Sequence, residues 1–421
     1  MKKIKLVFII ALLFSTFPSH SQFWYPVSSG TTKNFNCIDF PSANVGYIGG
    51  EDSLLLKTTD GGLTWNPISF TGINFSVWNA TILKLQFLND SIGYLTAGPY
   101  SATYKTVDGG STWTANQLVG NNCYNQGLFF FDANNGFIGG SGCFQGELIS
   151  RLDNGIWTAA TMNSSTWDAQ NLIVDIDFRN SQLGLAASAG GLIFRTTDGG
   201  LNWDSIPVDP SLNPLSSVLW LNDTVAYAGY TSLSVGFGLY ISTDAGLTWS
   251  QDVNSATFFY PDFLALHKSG DGKIYSGGIS QGSATGLIFS SPGDITTWSF
   301  DAVSQSIHSI SSYNDSIVFA VGDSGLILCN KVLTSLPVFE FAPSTLKIEV
   351  FPNPAQHSIQ LILPDAFEAK GALVKIYSVA GQLISIQNLK GIIDISTISS
   401  GEYFIEVLSG EKRAVGRFLV E

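Results

Sequence analysis

The sequence has few charged residues, and basic residues are the scarcer kind. Only 13% of its 421 residues are Asp, Glu, Lys or Arg. Residues 22–344 hold 10 Lys and Arg against 25 Asp and Glu, whereas residues 345–421 hold 7 against 8. An acidic main body repels phosphate backbones and anionic lipid surfaces. We therefore expect no nucleic-acid partner and no anionic membrane partner for residues 22–344.

Cysteine and histidine are also scarce, with four of each. No Cys-x-x-Cys spacing occurs, and His267, His308 and His357 are far apart in the chain. Zinc-type sites need such ligands at close spacing. We predict no metal site and no cofactor.

Long apolar runs are missing after residue 22, so we predict no membrane-spanning helix. The start itself, MKKIKLVFIIALLFSTFPSHSQ, has three lysines, an apolar stretch over 6–14, and small residues near its end. This pattern is typical of a secretory signal peptide, which we place at residues 1–21. Helical periodicity is nearly absent from the rest, and Gly, Ser, Thr and Asn abound. The composition favours an all-β fold with many short strands and tight turns.

The sequence does contain a repeat. A box with an acidic residue, glycine and tryptophan occurs as KTTDGGLTW (57–65), KTVDGGSTW (105–113), RTTDGGLNW (195–203) and STDAGLTW (242–249). Degenerate copies stand at RLDNGIW (151–157) and SSPGDITTW (290–298). The box tryptophans are spaced by 44 to 49 residues. Each unit holds about four short apolar strands, which is the signature of β-propeller blades.

A seventh unit at residues 307–330 has three strands and no box. The missing strand can come from the other end, because QFWYPVSSG (22–30) matches TWNPISFTG (64–72). We therefore predict a seven-bladed β-propeller over residues 22–332, with the N-terminal strand closing the last blade. Closure of this kind leaves no unpaired sheet edge.

The boxes can be binding sites or structural elements. Each would lie between the third and fourth strand of its blade, so the copies would be spread around the ring and could not converge on one substrate. Their aspartates can accept hydrogen bonds from turn N–H groups, and their tryptophans can pack on their own blade. We predict a structural role for these residues: Asp60, Gly62, Trp65, Asp108, Gly110, Trp113, Asp198, Gly200, Trp203, Asp244, Gly246 and Trp249.

The pattern Ser/Thr-x-Asp-x-Gly-x-Thr-Trp resembles the Asp-box, or bacterial neuraminidase repeat, found in sialidases, sortilin-type receptors and xyloglucan-degrading glycosidases. The segment GYIGG…LLLKTTDGGLTW closely resembles the photosystem II assembly and stability factor family. This resemblance implies a propeller fold and no particular activity.

Enzyme activity is poorly supported by the residues. Sialidases clamp a carboxylate with three arginines, yet residues 22–344 hold only Arg151, Arg179 and Arg195, and two of these are repeat positions. No Gly-x-Ser-x-Gly elbow or phosphate loop occurs. We predict no catalytic residue. The alternative is a glycoside hydrolase on a single propeller, which would need a facing carboxylate pair; the acids in question are Asp168, Asp175, Asp177 and Asp262.

Aromatic residues cluster in loops that would share one face of the ring. The loops at 71–81, 119–127, 162–171 and 254–263 connect the fourth strand of one blade to the first strand of the next. Exposed rings around an acidic mouth suit a protein or glycan partner, although the same rings could instead seal the gaps between blades. The predicted binding face consists of Phe75, Trp78, Tyr124, Trp167, Phe258 and Tyr260.

Exported cysteines enter an oxidising compartment. Cys123 starts the first strand of the third unit and Cys143 follows its second strand, so both fall on the predicted binding face and we expect a disulfide between them. Cys37 lies on a first strand and Cys329 on a third strand, and we expect these two not to meet.

The repeat stops after residue 332, and residues 333–344 read as a linker. Residues 345–421 show the alternating strands of a small Ig-like β-sandwich. The order Phe-Pro-Asn-Pro, Ile-Tyr-Ser-Val-Ala-Gly-Gln and Ser-Ser-Gly-Glu-Tyr-Phe, followed by a basic final strand, resembles the type A sorting domain of the type IX secretion system of Bacteroidetes. The resemblance implies that the secretion machinery is the partner of residues 345–421. It also implies passage through the periplasm to the outer cell surface or the medium.

The sequence thus predicts a secreted or cell-surface propeller that acts as a binding or scaffold module, with an extracellular protein or glycan as ligand.

Overall fold

The computed structural model describes residues 24–73, 81–98, 102–116, 122–142, 148–163, 172–208, 213–231, 238–252, 261–280, 285–293, 297–313, 317–331, 346–364, 367, 372–378, 383–409 and 412–421. The chain divides into two compact units, Met1–Leu333 and Thr334–Glu421. The predicted signal peptide and linker lie outside the described residues.

Both units are built from β-strands, which confirms the all-β prediction. The described residues contain one 3₁₀ turn, Asp323–Gly325, and no α-helix. In the described part of the first unit the strands form seven sheets, each with four or five strands.

The first four sheets are formed by strands that follow one another in the chain, apart from β1 and β14. β1 belongs to the last sheet, and β14 is an extra parallel strand on the outer edge of the fourth sheet. The strands are β1 (Tyr25–Val27), β2 (Phe35–Asp39), β3 (Gly46–Gly50), β4 (Leu55–Thr58), β5 (Asn66–Pro67), β6 (Ile82–Phe87), β7 (Gly93–Ala97), β8 (Ala102–Thr106), β9 (Thr114–Ala115), β10 (Asn122–Asp132), β11 (Asn135–Gly142), β12 (Ile149–Asp153), β13 (Ile156–Ala159), β14 (Thr161–Asn163), β15 (Ile173–Phe178), β16 (Gly184–Ser188), β17 (Leu192–Thr196) and β18 (Asn202–Pro207).

The last three sheets continue the same pattern. The seventh has the order β1-β29-β28-β27, so a strand from the start of the described chain is its outer strand. The strands are β19 (Leu215–Trp220), β20 (Ala226–Tyr230), β21 (Leu239–Ser242), β22 (Ser250–Gln251), β23 (Pro261–Lys268), β24 (Ile274–Ser280), β25 (Gly286–Ser291), β26 (Ser299–Val303), β27 (Ile307–Tyr313), β28 (Ile317–Gly322) and β29 (Ile327–Cys329).

The sheets pack face to face in chain order through their first two strands. β2 contacts β6, β6 contacts β10, and the series continues through β15, β19 and β23 to β27. β27 in turn contacts β2, and Ile38 N donates to Ser309 Oγ at 3.3 Å across this junction. Second strands such as β3, β7, β16 and β20 are buried along their whole length. A strand covered on both faces has no polar side, which explains why GYIGG and GLAAS lack alternation.

The second unit has two sheets around one apolar core, which includes Val374, Ile376, Ile405 and Phe418. A five-stranded sheet has the order β30-β37-β36-β33-β34, and a three-stranded sheet has the order β31-β32-β35. The strands are β30 (Leu346–Lys347), β31 (Glu349–Phe351), β32 (Ser358–Ile362), β33 (Leu373–Ser378), β34 (Leu383–Asn388), β35 (Ile393–Asp394), β36 (Gly401–Ser409) and β37 (Lys412–Val420).

Candidate functional site

Each complete box forms one hydrogen-bonded loop between the third and fourth strands. In the first box Asp60 Oδ1 accepts from Thr64 N at 2.9 Å, and Asp60 Oδ2 accepts from Thr64 Oγ1 at 2.6 Å. Thr58 Oγ1 donates to Asp60 Oδ1 and accepts from Gly62 N. Trp65 Nε1 donates to Gly62 O at 3.1 Å. The carboxylate is therefore occupied by its own loop, and these bonds hold the pKa of Asp60 below its usual value against its partial burial.

The other three complete boxes repeat this network. Hydrogen bonds from the loop lower the pKa of Asp108 and of Asp244 to about 2. Sequence reasoning overlooked the residue two positions before each aspartate, although its hydroxyl is recognisable in the motif. These side chains are fully buried and bind both the aspartate and a glycine N–H, and they are Thr58, Thr106, Thr196 and Ser242.

Box tryptophans and glycines contact the preceding sheet as well as their own. Trp203 is fully buried. Its ring packs edge to face on the ring of Phe137 in the third sheet, with 6.0 Å between the ring centres. A methyl group on Gly200 would approach the Phe137 ring to 2.2 Å. Trp65 contacts Phe319 of the seventh sheet in the same way, at 6.4 Å. The second glycine of a box is therefore required both for its positive φ and for close approach to the neighbouring sheet.

A cation at the first position of the boxes at 57–65, 105–113, 151–157 and 195–203 reaches the next sheet, whereas the box at 242–249 follows Ile241 at the corresponding position. Lys57 Nζ donates to Gly109 O at 3.1 Å, in the second box. Arg151 Nε donates to Gly199 O at 3.0 Å, and Arg195 Nε donates to Ala245 O at 2.8 Å. These bonds tie one third strand to the box loop of the following sheet. Arg151 and Arg195 thus each bond a neighbouring loop through Nε, and Arg151 Nη1 also pairs with Asp153 Oδ2 at 2.8 Å in its own sheet.

The degenerate third box is replaced by a tight hairpin. Asn154 and Gly155 both have positive φ, 48° and 80°, and connect β12 directly to β13. Two left-handed residues are what a two-residue turn with native twist requires. Lys105, which precedes the second box, donates instead to Ala133 O in the turn between β10 and β11, at 2.8 Å.

Polar side chains on the first strands connect neighbouring sheets. Asp39 Oδ2 accepts from Phe87 N at 2.6 Å, and Asp177 Oδ2 accepts from Trp220 N at 2.7 Å. Gln86 makes the equivalent contact with both backbone groups of Phe130. These side chains hydrogen-bond to backbone groups of the next sheet. They thereby connect two sheets that are not joined by backbone-to-backbone hydrogen bonds.

Dense protein around Asp39 and Asp177 raises the pKa of each to about 7, because desolvation outweighs the backbone hydrogen bond. Each keeps some accessible surface. Asp175, two residues before Asp177, accepts from Val218 N at 3.0 Å and pairs with Lys84 Nζ at 3.3 Å. Of the four acids considered for glycoside hydrolysis, Asp175 and Asp177 are thus engaged in contacts between sheets. Asp168 and the side chain of Asp262 lie outside the described part of the chain.

Two histidines bridge elements of this unit. Burial lowers the pKa of His267 to about 4, and its Nε2 is 2.7 Å from Ser312 Oγ. His308 Nε2 lies 2.9 Å from Asp323 Oδ1. The residues that the structure describes contain no cluster of three or more His, Cys, Asp or Glu arranged to hold a metal ion.

Of the predicted binding face, Tyr124 is the member that the structure describes. Its side chain is 52% exposed, and its backbone has φ of 54° beside a register shift in β10. The β10–β11 pairing runs on to Asn122 and Gly142, beyond the register seen in other sheets. β23 and β24 are also extended, to Pro261 and Ser280. The remaining predicted members lie outside the described residues, and they are Phe75, Trp78, Trp167, Phe258 and Tyr260.

A shallow depression of about 530 Å³ lies where β1 leads into β2. Its walls come from the segment 26–32, from Ser304 and Gln305, and from the 3₁₀ turn and start of β29 at 324–327. Its polar side chains are hydroxyls and one amide.

Cys37 and Cys329 are buried free thiols in different clusters. Burial raises the pKa of the Cys37 thiol to about 12 and that of Cys329 to about 11. Cys143 and the side chain of Cys123 are outside the described residues, so their disulfide stays a prediction.

The last strand of the second unit, β37, is basic, and the Phe-Pro-Asn-Pro segment lies beside it. Residues 349–421 match the family of secretion system C-terminal sorting domains. This confirms the sorting domain expected from the motifs. The sorting domain implies export to the cell surface or secretion, with the secretion machinery as its partner.

Solved structures resemble nearly three quarters of the chain. A structure of YCF48 bound to D1 peptide has a TM-score of 0.56 at 18% identity, covering 73% of this chain and 96% of that one. YCF48 from Cyanidioschyzon merolae has a TM-score of 0.55 at 19% identity, covering 73% and 98%. Streptogramin B lyase has a TM-score of 0.51 at 11% identity, covering 73% and 96%. At such identities the likeness establishes a β-propeller fold and no function.

No curated protein matches this chain in sequence. Among the residues that the structure describes, no helix is long and apolar enough to cross a membrane.

Proposed function

We propose that the first unit is a closed seven-bladed propeller that binds an extracellular protein or glycan on one face. The type IX secretion system exports it by means of the Ig-like sorting domain. The contact of β2 with β27 and the pairing of β1 with β29 support closure of the ring. The sorting domain match supports export.

The boxes are assigned a structural role in this proposal. Asp60 accepts three hydrogen bonds from its own loop and the other three box aspartates accept four each, and the box tryptophans are buried or half-buried. The cations at the start of four of the boxes, Lys57, Lys105, Arg151 and Arg195, each reach the following sheet. Because the box carboxylates, tryptophans and cations already make these contacts within the protein, they are not available to bind a common ligand.

The face from which β10 and β23 begin is the proposed binding face. The observation that carries the proposal is the exposed ring of Tyr124 on an inner hairpin that extends beyond the common register. The hairpin of β23 and β24 extends at the same face, three sheets further along the chain order. Raised hairpins on either side of a ring would form walls around its mouth. YCF48, which shares the fold, has been observed with a bound peptide, and a peptide segment would fit such a mouth.

A glycoside hydrolase is less well supported. It would need one carboxylic acid and one carboxylate facing each other across the substrate. Asp175 and Asp177 project from one strand, and each accepts a backbone N–H of β19. Withdrawal of either carboxylate to act on a sugar would leave that N–H unpaired.

Binding can be tested with the mature full-length chain on a glycan array and in pull-downs from the surface proteins of the producing cells. Tyr124→Ala should lower the affinity for a captured ligand by about tenfold or more, as expected for a central aromatic anchor. The set of Phe75, Trp78, Trp167, Phe258 and Tyr260, each changed to Ala, extends the test around the mouth.

Tyr313→Ala is the matched control. Tyr313 is 38% exposed and lies at the hairpin end of β27, at the opposite end of the first strands. Binding that survives every change on the proposed face, or that falls equally with Tyr313→Ala, would contradict the assignment of the ligand to this face.

A further inference from the structure

The last strand of the sorting domain, β37, lies near one edge of the five-stranded sheet. Its outer side is covered first by β30, because Leu346 and Lys347 pair in parallel with Ala414 and Val415. Ile348 N then donates to Val415 O at 2.8 Å. Beyond this point the covering chain enters the Phe-Pro-Asn-Pro segment at residues 351–354.

Prolines cannot continue a ladder of backbone hydrogen bonds. Pro352 and Pro354 have no N–H, so the segment has lost two of its donors where it runs beside the end of β37. Without a substitute, the N–H of Leu419 on this side of β37 would lose its partner. An open strand edge of this kind pairs readily with foreign chains.

The side chain of Asn353 takes the place of the missing peptide groups. Its Oδ1 accepts from Leu419 N at 2.9 Å, and its Nδ2 donates to Arg417 O at 3.4 Å. A carboxamide has the same donor and acceptor pair as a peptide bond, so it can occupy one rung of a ladder. Backbone pairing then resumes at once.

Backbone hydrogen bonding with the end of β37 resumes at Ala355. Its N donates to Leu419 O at 2.8 Å, and its O accepts from Glu421 N at 2.9 Å. Ala355 is buried, so a larger side chain would separate the two segments at this point. β36 pairs with one side of β37 as far as Val420, and Asn353 and Ala355 hold the other side of residues 417–421.

We propose that Asn353 is a positioning residue for export: it acts as a substitute peptide group that holds the C-terminal strand in place for the secretion machinery. The inference rests on the export role proposed above. The strand so held exposes Arg417, Leu419 and Glu421 at alternate positions, which places them on one face of β37. If the end of β37 frayed, these three side chains would no longer share a common orientation.

The two hydrogen bonds of position 353 require a side chain with both an acceptor and a donor, which asparagine supplies. Alanine at position 353 would remove both hydrogen bonds. Aspartate would keep an acceptor for Leu419 N and lose the donor to Arg417 O, because an ionised carboxylate has no donor. The three residue types therefore form a graded series in which the size of the side chain changes little between Asn and Asp.

The test measures export of the full-length chain by its native host together with amide hydrogen exchange of the same variants. Asn353→Ala should raise the exchange rates of the Leu419 and Glu421 amides by about tenfold or more, as for local opening of a strand end, and should leave the core strands β33 and β36 protected. The amount of exported protein should fall by at least about tenfold. Asn353→Asp should give intermediate values of both.

Asn388→Ala is the control, since Asn388 is an exposed asparagine on β34 at the opposite edge of the same sheet. It should change neither quantity. Normal export of Asn353→Ala despite faster exchange at Leu419 would overturn the proposal. So would lost export with unchanged exchange, because Asn353 would then act by another route.

If Asn353→Ala unfolds the whole sorting domain, the proposal is tested by export and amide exchange of the Asn353→Asp variant instead. Export of this variant above the level of Asn353→Ala, with Leu419 still protected, supports the proposal, and export no better than that of Asn353→Ala overturns it. Ligand binding by the first unit is measured on separate samples, so failure of the binding face and failure of Asn353 are distinguishable.

Discussion

Gly62 of the first sheet lies directly against the ring of Phe319 in the seventh sheet. A methyl group on Gly62 would come within 2.4 Å of Phe319 Cζ, and the backbone of Gly62 has φ of +88°. The two residues are far apart in sequence and meet where the last sheet packs on the first. The box glycine therefore takes part in the packing of the seventh sheet against the first.

Gly62→Ala should destabilise the first unit by about 2 to 4 kcal/mol, because it adds a steric clash to a strained φ. Gly272→Ala is the matched control, since Gly272 has φ of +85° and no neighbour within 4 Å of an added methyl. We expect about 1 kcal/mol there from backbone strain alone. Urea unfolding followed by tryptophan fluorescence checks both, since all ten tryptophans lie between residues 24 and 298. Equal losses would show that the Phe319 contact has no energetic role.

Lys57→Met should lower the unfolding free energy by about 1 to 2 kcal/mol, because it removes a charge-assisted hydrogen bond and keeps the length of the side chain. The lost contact is the 3.1 Å bond to Gly109 O, and the ammonium also lies 5.0 Å from the centre of the Tyr47 ring. Lys33→Met is the control: its pair with Asp52 at 3.4 Å is solvent-exposed, and exposed pairs contribute little. A loss for Lys33 as large as that for Lys57 would contradict the connection between sheets.

Asp177→Asn should flatten the pH dependence of stability on the neutral side. The native pKa is raised from 3.8 to about 7, so between these values the native state holds a proton that the unfolded chain has released. The resulting stabilisation is complete below about pH 4 and is lost as the pH rises through about 7. Asn keeps an acceptor for Trp220 N and removes the titration.

The measurement is the midpoint of urea unfolding between pH 4 and 8. The midpoint of the native protein should fall more steeply over this range than that of Asp177→Asn. Asp223→Asn, at a carboxylate whose side chain is 83% exposed, is the control. Parallel curves for the native protein and Asp177→Asn would refute the prediction.

The box carboxylates should act in the opposite direction. Hydrogen bonds from its loop hold the pKa of Asp108 at about 2, below its unfolded value of 3.8. Its stabilisation is therefore present above about pH 4 and is lost as the pH falls through about 2. In Asp108→Asn the decline of the unfolding midpoint between pH 5 and 2 should be shallower than in the native protein. An unchanged acid limb would argue that the box carboxylate does not stabilise the loop.

A disulfide between Cys123 and Cys143 should be found in the exported protein by mass spectrometry of unreduced peptides. It would close a loop of about 20 residues and stabilise the unit by roughly 3 kcal/mol. Reduction, or Cys123→Ser, should lower the unfolding midpoint accordingly. Cys37 and Cys329 are buried thiols and serve as internal controls, since neither should be found in a bridge.

The aspartates, glycines and tryptophans of the boxes could be predicted from the sequence because the repeat places them at constant spacing. Their partners were partly readable as well, since Asp60 and Thr64 are neighbours within one loop. The bond from Lys57 to Gly109 was not, because it joins two repeats and depends on how far one sheet is rotated against the next. The same holds for Asp39, whose partner Phe87 belongs to the following sheet.

The sequence by itself determined the all-β class, the repeat and the sorting domain, because strand alternation, turn residues and motif order are local properties of the chain. Tertiary structure alone decided which groups meet between sheets. Gly62 and Phe319, or Asn353 and Leu419, are distant in sequence, and their contact follows from the packing of whole sheets and strands. Desolvation likewise depends on everything around a group. Burial between sheets raises the pKa of Asp177 on β15, whereas hydrogen bonds within its own loop lower the pKa of Asp108.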